Sequence, residues 1–421
     1  MGQLKASRAK RIWGEFRPPS DKSITHRAYM ISAICKRGGT VRNPLRSEDC
    51  NDTLEIVRKL GAEIQADGDS LRIRPASFVS PETELWCGNS GTTMRLMCGL
   101  LAGRDLRCTL TGDESLSSRP MMRVVQPLRE MGANIEGDRA PIVIGPAELH
   151  GISYNSPIAS AQVKSAIVLA GLTADGETTV CEPFKSRDHT ERMLRAAECD
   201  VAVNGNEVRV RASVPQHIEV SVPGDISSAA FFLVAAAMLG GPLTAKQLGL
   251  NPTRTGLLEV LHEVGADIKI IHTSEESGEP VGDVVVQAGS ALKPFSIEGS
   301  RVPMLIDEIP VLAVLATQCD GVTTIRNAQE LRVKESDRID LVARNLASMG
   351  AQVETHEDGL TILGPTPLTG CTVHANKDHR IGMAFAIAGL IAEGETTIEG
   401  AEAIATSFPT FETELRRLCA D

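Results

Sequence analysis

The chain consists of six successive copies of one pattern, and this repeat restricts its fold more than any other feature. In each copy a helix of small apolar residues begins at reactive polar residues and leads into a short Thr/Val-rich segment. A loop, an amphipathic helix and an alternating strand then complete the copy. The six helix openings are Asp21-Lys22-Ser23, Asn89-Ser90-Gly91-Thr92, Ser160-Ala161-Gln162, Asp225-Ile226-Ser227-Ser228, Asp307-Glu308 and Asp378-His379-Arg380.

The amphipathic helices end in a recurring apolar-Gly-Ala signature, which predicts a left-handed glycine cap followed by a strand. The third copy has the degenerate form Glu198-Cys199-Asp200-Val201, and the sixth stops within its helix, Phe411 to Leu418. A copy of roughly 65 to 85 residues suits a βαβαββ module better than a solenoid repeat. We therefore predict an α/β fold of two groups of three modules. The four regular signatures are Leu60-Gly61-Ala62, Met131-Gly132-Ala133, Val264-Gly265-Ala266 and Met349-Gly350-Ala351.

Composition restricts the class of partner. A length of 421 residues allows two domains, and the net charge of -11 argues against nucleic acid or an anionic membrane surface as the partner. Ten cysteines without a Cys-x-x-Cys pair indicate neither a zinc site nor a disulfide framework. The longest apolar run, 229–239, is too short to cross a bilayer, and no secretory signal is present. We expect a cytoplasmic protein without a metal.

The charged motifs fall at the helix openings and in the loops after the Thr/Val segments. A helix N-terminus carries unpaired N–H groups and a partial positive charge, so several such ends beside cationic loops predict an anion receptor. Lys334, Asp337 and Arg338 have helical spacing, which predicts that one helix face carries both cations. A solvated helix face with an internal ion pair is the plainer alternative for this run. The loop motifs are Ser118-Arg119-Pro120, Ser186-Arg187-Asp188-His189, Asn251-Pro252-Thr253-Arg254 and Arg332-Val333-Lys334-Glu335-Ser336-Asp337-Arg338.

Five of these motifs together resemble the motif set of the 5-enolpyruvylshikimate-3-phosphate synthases, in the expected order over almost the whole chain. Three further segments, 160–164, 187–191 and 251–254, resemble the class II branch of that family. Each motif alone is only moderately specific, whereas five in order are very specific. The five are Pro19-Ser20-Asp21-Lys22-Ser23-x-x-x-Arg27, Gly88-Asn89-Ser90-Gly91-Thr92, Ser118-Arg119-Pro120-Met121, Arg332 to Arg338, and Asp378-His379-Arg380.

The resemblance implies a two-domain inside-out α/β barrel with three βαβαββ units in each domain. We place the domains at 16–226 and at 1–15 plus 227–421, with crossings near Arg17 and Gly224. The implied reaction moves the enolpyruvyl group of phosphoenolpyruvate to the 5-hydroxyl of shikimate 3-phosphate and releases phosphate. This step belongs to the shikimate pathway to chorismate and the aromatic amino acids. It needs no metal or organic cofactor, and a monomer is expected.

Site residues follow from the same resemblance, position by position. Asp307 is expected as the base on the 5-hydroxyl, Glu335 as a candidate for proton transfer at the methylene carbon, and Lys22 as a contact to both substrates. The expected contacts to shikimate 3-phosphate are Lys22, Ser23, Arg27, Ser160, Ala161, Gln162, Arg187, Asp307 and Lys334. The expected contacts to phosphoenolpyruvate are Lys22, Gly91, Arg119, Gln162, Arg338 and Arg380.

Two positions depart from the family pattern. Ala161 stands where the best-known members have a second serine, and Thr406 stands where many have lysine. Lys164 and Arg187 are candidates to compensate for the missing serine. Plainer interpretations also remain: Asp307 and Asp225 as simple helix N-caps, and His379 with Arg380 as a surface pair.

Two other functions compete with the main interpretation. The sister enolpyruvyl transferase acting on UDP-N-acetylglucosamine usually has a reactive cysteine in the loop before Arg119-Pro120, but residues 113–118 contain none. A non-catalytic anion- or RNA-binding scaffold would not need the carboxylates of Asp307 and Glu335, and its surface would normally be basic.

Overall fold

The computed structural model describes residues 2–420 and divides them into two compact units. The N-half unit comprises residues 20–223 and 275–279, and the C-half unit comprises residues 2–19, 224–274 and 280–420. The sequence pattern placed the crossings near Arg17 and Gly224 and kept 227–421 in one domain. Residues 275–279 comprise the turn of a hairpin and the adjoining ends of its two strands, and none of the motifs used to place the crossings lies in them.

Short strands make up the sheets of both units. They are β1 (Gln3–Ser7), β2 (Gly14–Phe16), β3 (Gly39–Arg42), β4 (Ile64–Asp67), β5 (Ser70–Ile73), β6 (Leu85–Trp86), β7 (Cys108–Thr111), β8 (Asn134–Glu136), β9 (Ile142–Gly145), β10 (Ser153–Asn155), β11 (Glu177–Cys181), β12 (Val201–Asn204), β13 (Glu207–Arg211), β14 (Ile218–Ser221), β15 (Leu243–Gly249), β16 (Asp267–Glu276), β17 (Glu279–Gln287), β18 (Ser296–Ile297), β19 (Gly321–Ile325), β20 (Gln352–His356), β21 (Gly359–Gly364), β22 (Thr372–His374) and β23 (Glu395–Glu399).

Helices alternate with these strands along the chain. They are α1 (Lys22–Ile34), α2 (Glu48–Lys59), α3 (Gly91–Leu101), α4 (Glu114–Ser118), α5 (Met122–Glu130), α6 (Ala161–Gly171), α7 (His189–Ala196), α8 (Ile226–Leu239), α9 (Gly256–Glu263), α10 (Val302–Leu305), α11 (Ile309–Ala316), α12 (Arg338–Ser348), α13 (His379–Ile391) and α14 (Phe411–Leu418). Short 3-10 turns cover Gly299–Arg301, Gln329–Val333 and Ala401–Thr406. Within residues 2–420, no helix combines the length and the apolar character that crossing a bilayer requires.

The sheets repeat one topology, which confirms the predicted α/β fold of six repeats. In five sheets an edge strand lies parallel to the second strand, and the third is antiparallel to the second. In the sixth, β1 from the start of the chain pairs antiparallel with β23, beside β22. The five orders are β14-β3-β5-β4, β6-β7-β9-β8 and β10-β11-β13-β12 in the N-half unit, and β2-β15-β17-β16 and β18-β19-β21-β20 in the C-half unit.

Small residues allow the repeat helices to pack closely in the interior of each unit. A methyl group built on Gly99 in α3 would overlap the backbone carbonyl of Ala166 in α6, so these two helices approach more closely than larger side chains would allow. In the C-half unit α8, α11 and α13 are buried on almost every face, as expected of helices that are apolar all round. Strands such as β1 alternate exposed and buried residues and therefore cover these helices with one face.

The amphipathic helices end as their glycine signature predicts. Gly61, Gly132, Gly265 and Gly350 have φ between 94° and 101°, a left-handed region that favours glycine. In the degenerate third copy Glu198 takes the same position with φ 66°. The turn geometry is therefore kept in a copy that has lost the glycine.

Candidate active site

Five of the six predicted helix openings are capped by a polar side chain of the opening itself. Asp21, Ser90, Ser160, Asp225 and Asp378 each accept a backbone N–H in the first turn of α1, α3, α6, α8 and α13. The sixth opening differs, because α11 begins after Glu308 and has no side-chain cap. Asp307 lies between α10 and α11, so the interpretation of Asp307 as a simple N-cap is wrong, whereas Asp225 does cap its helix.

Helix α1 carries the first group of predicted site residues. Lys22 begins the helix, and its Nζ lies 3.0 Å from Oδ2 of Asp49. One turn later the Arg27 guanidinium is buried and donates to Thr190 Oγ1 at 2.7 Å, Ser165 Oγ at 3.0 Å and the Ser23 carbonyl at 3.0 Å. These three acceptors fix the orientation of the Arg27 guanidinium.

Helix α3 brings Gly91 and Arg119 together. Gly91 is the first residue of the helix, and a Cβ built there would lie 3.5 Å from Nη1 of Arg119. Arg119 is buried, and its Nη2 donates to Asn89 Oδ1 at 2.5 Å and to Ser115 Oγ at 3.1 Å. A guanidinium is therefore held beside the N-terminus of α3, where both favour an anion.

Gln162 connects α6 to α3. Its Oε1 accepts from Arg95 Nη1 at 2.7 Å, and its Nε2 donates to Thr92 Oγ1 at 2.9 Å. The neighbouring Ser160 caps α6, while its own backbone N–H donates to Glu182 Oε1 at 2.9 Å. Ala161 follows as the first helical residue.

Lys164 lies in a buried ionic cluster instead of at a substrate-facing position. Its Nζ is 2.9 Å from carboxylate oxygens of both Glu182 and Glu191, and all three side chains are almost fully buried. Burial alone would lower the pKa of Lys164, but Glu191 and Glu182 outweigh it and raise that pKa. The suggestion that Lys164 compensates for the serine missing at Ala161 is therefore wrong. Arg187, half-buried just before α7, remains a candidate.

The C-half unit gathers three carboxylates around one guanidinium. Arg338, the first residue of α12, is buried and lies 2.7 Å from Glu335, 2.9 Å from Asp378 and 3.2 Å from Asp307. Burial would lower the pKa of Arg338, but Asp378, Glu335 and Asp307 together raise it. Asp307 and Glu335 keep side-chain exposures of 17% and 23%, which leaves both accessible to a small molecule.

Arg380 flanks the same cluster on its other side. Its Nη2 lies 3.9 Å from Asp307, and its Nη1 donates to the Ser227 carbonyl at 3.1 Å. Arg380 and His379 are both buried, so the alternative of a surface pair is wrong. Asp307 thus faces two arginines, Arg338 and Arg380.

Lys334 does not share a helix face with Arg338, contrary to the spacing argument. A 3-10 turn ends at Val333, Lys334 has an extended backbone, and Asp337 caps the start of α12. The Asp337 side chain accepts the Asp340 backbone N–H, so the helix begins at Arg338 and does not extend back to Lys334. Burial lowers the pKa of Lys334, against the attraction of Asp307 and Glu335.

Several residues at the site were not predicted. Asp378 was quoted as a helix opening and within a family motif but was given no role, yet its carboxylate accepts from both Arg338 and the backbone of Arg380. Asp378 directly precedes His379 and Arg380 at a helix start, and this position could have predicted that its carboxylate contacts a site cation. Arg254, quoted only within a motif, donates from Nη2 to Asp225 at 3.0 Å and to Ser227 at 2.6 Å.

Thr406, which stands where many family members have lysine, has a contact within its own turn. Thr406 ends the 3-10 turn Ala401–Thr406, and its hydroxyl donates to the Ala403 carbonyl at 2.8 Å. Thr406 therefore stabilises its own turn. A lysine has no hydroxyl and could not form this hydrogen bond.

Comparisons with known proteins agree with this arrangement. The sequence profile of EPSP synthase (3-phosphoshikimate 1-carboxyvinyltransferase) matches residues 7–415. A 3-phosphoshikimate 1-carboxyvinyltransferase from Bacillus cytotoxicus is 47% identical over 98% of this chain and 99% of its own length, and one from Geotalea uraniireducens is 49% identical over 96% of each. The solved EPSP synthase of Acinetobacter baumannii superposes with a TM-score of 0.87 at 41% identity, covering 99% of this chain and 98% of its own.

An enolpyruvyl transferase from Streptomyces tendae shares the fold alone. Its TM-score is 0.81 at 18% identity, over 100% of this chain and 98% of its own. The family profile and the close relatives extend over nearly the full length of the chain, through all six repeats and both groups of site residues. The chain therefore belongs to the EPSP synthase family.

Proposed function

We propose that this protein transfers the enolpyruvyl group of phosphoenolpyruvate to the 5-hydroxyl of shikimate 3-phosphate and releases phosphate. The relatives named for this activity support it, and the step lies in the pathway to chorismate and the aromatic amino acids. The single observation that carries the residue assignments is the cluster in which Asp307, Glu335 and Arg338 meet.

The reaction requires several proton transfers, and these determine the roles of the site residues. A proton adds to the methylene carbon of phosphoenolpyruvate, carbon 2 becomes cation-like, and the 5-hydroxyl adds to it while losing its own proton. The tetrahedral intermediate then gives up one methyl proton, and the bond from carbon 2 to oxygen breaks. The departing phosphate oxygen takes up one proton, so the proton lost by the 5-hydroxyl is balanced by the one that leaves on phosphate. Asp307 takes the hydroxyl proton, and Glu335 exchanges the proton at the methylene carbon.

The N-half residues bind the two anions. Lys22 touches both substrates, and its contact with Asp49 keeps its ammonium at the start of α1. Arg27 binds the shikimate carboxylate, because its planar fork matches two carboxylate oxygens and its contacts with Thr190 and Ser165 hold that fork in one orientation. Further contacts to shikimate 3-phosphate come from Ser23, Ser160, Ala161, Gln162, Arg187, Asp307 and Lys334.

Phosphoenolpyruvate binds through backbone and guanidinium donors. Gly91 allows close approach to the N-terminus of α3, beside Arg119. Arg338 and Arg380 are further proposed contacts to phosphoenolpyruvate, and the contact of both guanidinium groups with Asp307 supports this proposal. Lys22 and Gln162 complete this set.

A phosphate-release assay tests the proposal. Release should require both phosphoenolpyruvate and shikimate 3-phosphate, and UDP-N-acetylglucosamine should not replace the second. Arg338→Gln should abolish release. Arg344→Gln should leave it unchanged, because Arg344 is an exposed residue of the same helix that pairs with Asp340. Release from phosphoenolpyruvate alone, or with the nucleotide sugar, would refute the assignment.

The protein is further proposed to act as a monomer in the cytoplasm. Each of the six sheets takes all its strands from this chain, with β14 and β1 completing the first and last repeats. Ten free cysteines suit a reducing compartment. Light scattering should give one species near 45.0 kDa; a dimer mass would contradict the monomer.

A further inference from the structure

A continuous chain of buried hydrogen bonds joins the first three helices of the N-half unit. Nδ1 of His26 in α1 lies 2.7 Å from Oγ1 of Thr53 in α2, which lies 2.7 Å from Oγ1 of Thr93 in α3. The Thr93 hydroxyl donates to Oγ of Ser90 at 2.7 Å. At the other end, the Cys50 Sγ lies 3.9 Å from His26 Nε2. We call these five side chains the His26 relay.

Counting hydrogens fixes the direction of the relay. Each hydroxyl has one hydrogen, and Thr93 gives its own to Ser90, so the short Thr53–Thr93 contact requires the hydrogen of Thr53. The alternative acceptor for Thr53, the Asp49 carbonyl, is farther away at 3.2 Å. The 2.7 Å contact between Thr53 and His26 then requires a hydrogen on Nδ1 of the imidazole.

The remaining imidazole nitrogen fits this direction. Burial lowers the pKa of His26 to about 3, opposed by Asp49, while Lys22 and Arg27 lower it further and Asp21 raises it. Burial also raises the pKa of Cys50 to about 12, so its thiol keeps its hydrogen. A neutral imidazole with Nδ1–H has its lone pair on Nε2, facing that thiol.

The relay ends at the proposed phosphoenolpyruvate site. Ser90 Oγ accepts from both the backbone N–H and the hydroxyl of Thr93, so its own hydrogen is directed away from the relay. Ser90 directly precedes Gly91, and a Cβ built on Gly91 would lie 3.5 Å from Nη1 of Arg119. The Ser90 hydroxyl keeps one hydrogen that the relay does not use, and this hydrogen can be donated to an anion.

We propose that the His26 relay positions the Ser90 hydroxyl as a hydrogen-bond donor to phosphoenolpyruvate, with His26 held as the neutral Nδ1–H tautomer. The proposal rests on the function proposed above. In it Ser90 binds substrate, whereas His26, Thr53 and Thr93 are positioning residues that act through Ser90.

Nitrogen-15 NMR of histidine-labelled protein tests the tautomer directly. The protein has 9 histidines, and the His26 signals are those missing from His26→Asn. The expected spectrum shows protonated Nδ1 and unprotonated Nε2 without titration between pH 5 and 8. A hydrogen on Nε2, or protonation in that range, would overturn the proposal. This readout does not depend on enzyme activity.

Thr53 provides the functional test through a matched pair of variants. Thr53→Val removes the relay hydroxyl at nearly constant volume, whereas Thr53→Ser retains it. Thr53→Val should raise KM for phosphoenolpyruvate roughly 3- to 10-fold, the effect of one hydrogen bond, with kcat and KM for shikimate 3-phosphate within about twofold. Thr53→Ser should restore the wild-type KM.

Thr178→Val is the control for burial, because Thr178 is a buried threonine on β11 whose hydroxyl has no hydrogen-bond partner in the described residues. It should leave all constants unchanged. Loss of thermal stability in Thr53→Val without a change in KM for phosphoenolpyruvate would assign the relay a purely structural role and refute the proposal. Inactive wild-type protein would refute the transferase assignment instead, and the NMR result would still decide the tautomer.

Discussion

Replacing Asp307 by asparagine separates proton transfer from binding. The change keeps the shape of the side chain and an oxygen that can accept from Arg338, 3.2 Å away. Arg338 also keeps its contacts with Glu335 and Asp378, so the fold of the cluster should survive. The amide, however, cannot take a proton from the 5-hydroxyl.

The expected loss follows from the role of a general base. Such a group typically contributes 10²–10⁴ in rate, so kcat should fall by that factor, equivalent to about 3–5 kcal/mol of barrier. Ground-state binding should change little, because Asp307 repels an anion, and its contact with Arg380 is long at 3.9 Å. We expect the Kd for shikimate 3-phosphate to stay within about tenfold of wild type.

Steady-state phosphate release and calorimetric titration of shikimate 3-phosphate measure the two effects. Asp340→Asn is the matched control, since Asp340 lies in the same unit and pairs with exposed Arg344. A kcat near wild type would remove Asp307 from the role of base. A Kd raised more than a hundredfold would show that Asp307 contributes mainly to binding shikimate 3-phosphate and not to proton transfer.

Three further predictions follow from the site and its supports. Gly91→Ala should raise KM for phosphoenolpyruvate more than KM for shikimate 3-phosphate, because the new Cβ would stand 2.6 Å from Arg95 Nη1 and displace it; equal changes would contradict this. Lys164→Met should cost about 3–5 kcal/mol of unfolding free energy in urea, because it leaves two buried carboxylates without their cation; a cost below 1 kcal/mol would argue against the buried cluster. Since the pKa of Lys164 is raised on folding, its contribution should be complete below its unfolded pKa near 10.5 and be lost as pH rises through the higher folded value. The lowered pKa of Lys334 predicts that KM for shikimate 3-phosphate rises on alkalinisation before pH 10.5 and that Lys334→Arg abolishes this rise; an unchanged profile in the variant would exclude Lys334 as its source.

The repeat could be read from the sequence because each of its signals is local. A helix cap needs one polar side chain, and a helix end needs one residue that tolerates positive φ, so the positions of Asp21 and Gly61 are visible without tertiary contacts. The resemblance to a known family then supplied Asp307, Glu335 and Arg338, which the structure brings together.

What the sequence could not provide depends on contacts between distant segments. In the sequence, Lys164 is a cation in the first turns of a predicted site helix and therefore looks like a substrate contact. Only the tertiary contacts with Glu182 and Glu191 show that it forms buried ion pairs instead. Helical spacing misplaced Lys334 because Asp337 caps a new helix three residues later. The hairpin turn 275–279 belongs to the N-half unit through tertiary contacts that leave no mark in the repeat.

The fate of one oxygen atom tests the proposed reaction most directly. Phosphoenolpyruvate is labelled with oxygen-18 at the atom that joins carbon 2 to phosphorus, and inorganic phosphate is followed by phosphorus-31 NMR. Enolpyruvyl transfer breaks the bond between carbon 2 and that oxygen, so the account predicts labelled phosphate, formed only when shikimate 3-phosphate is present. Unlabelled phosphate with the label retained in pyruvate, or labelled phosphate formed without the second substrate, would contradict it.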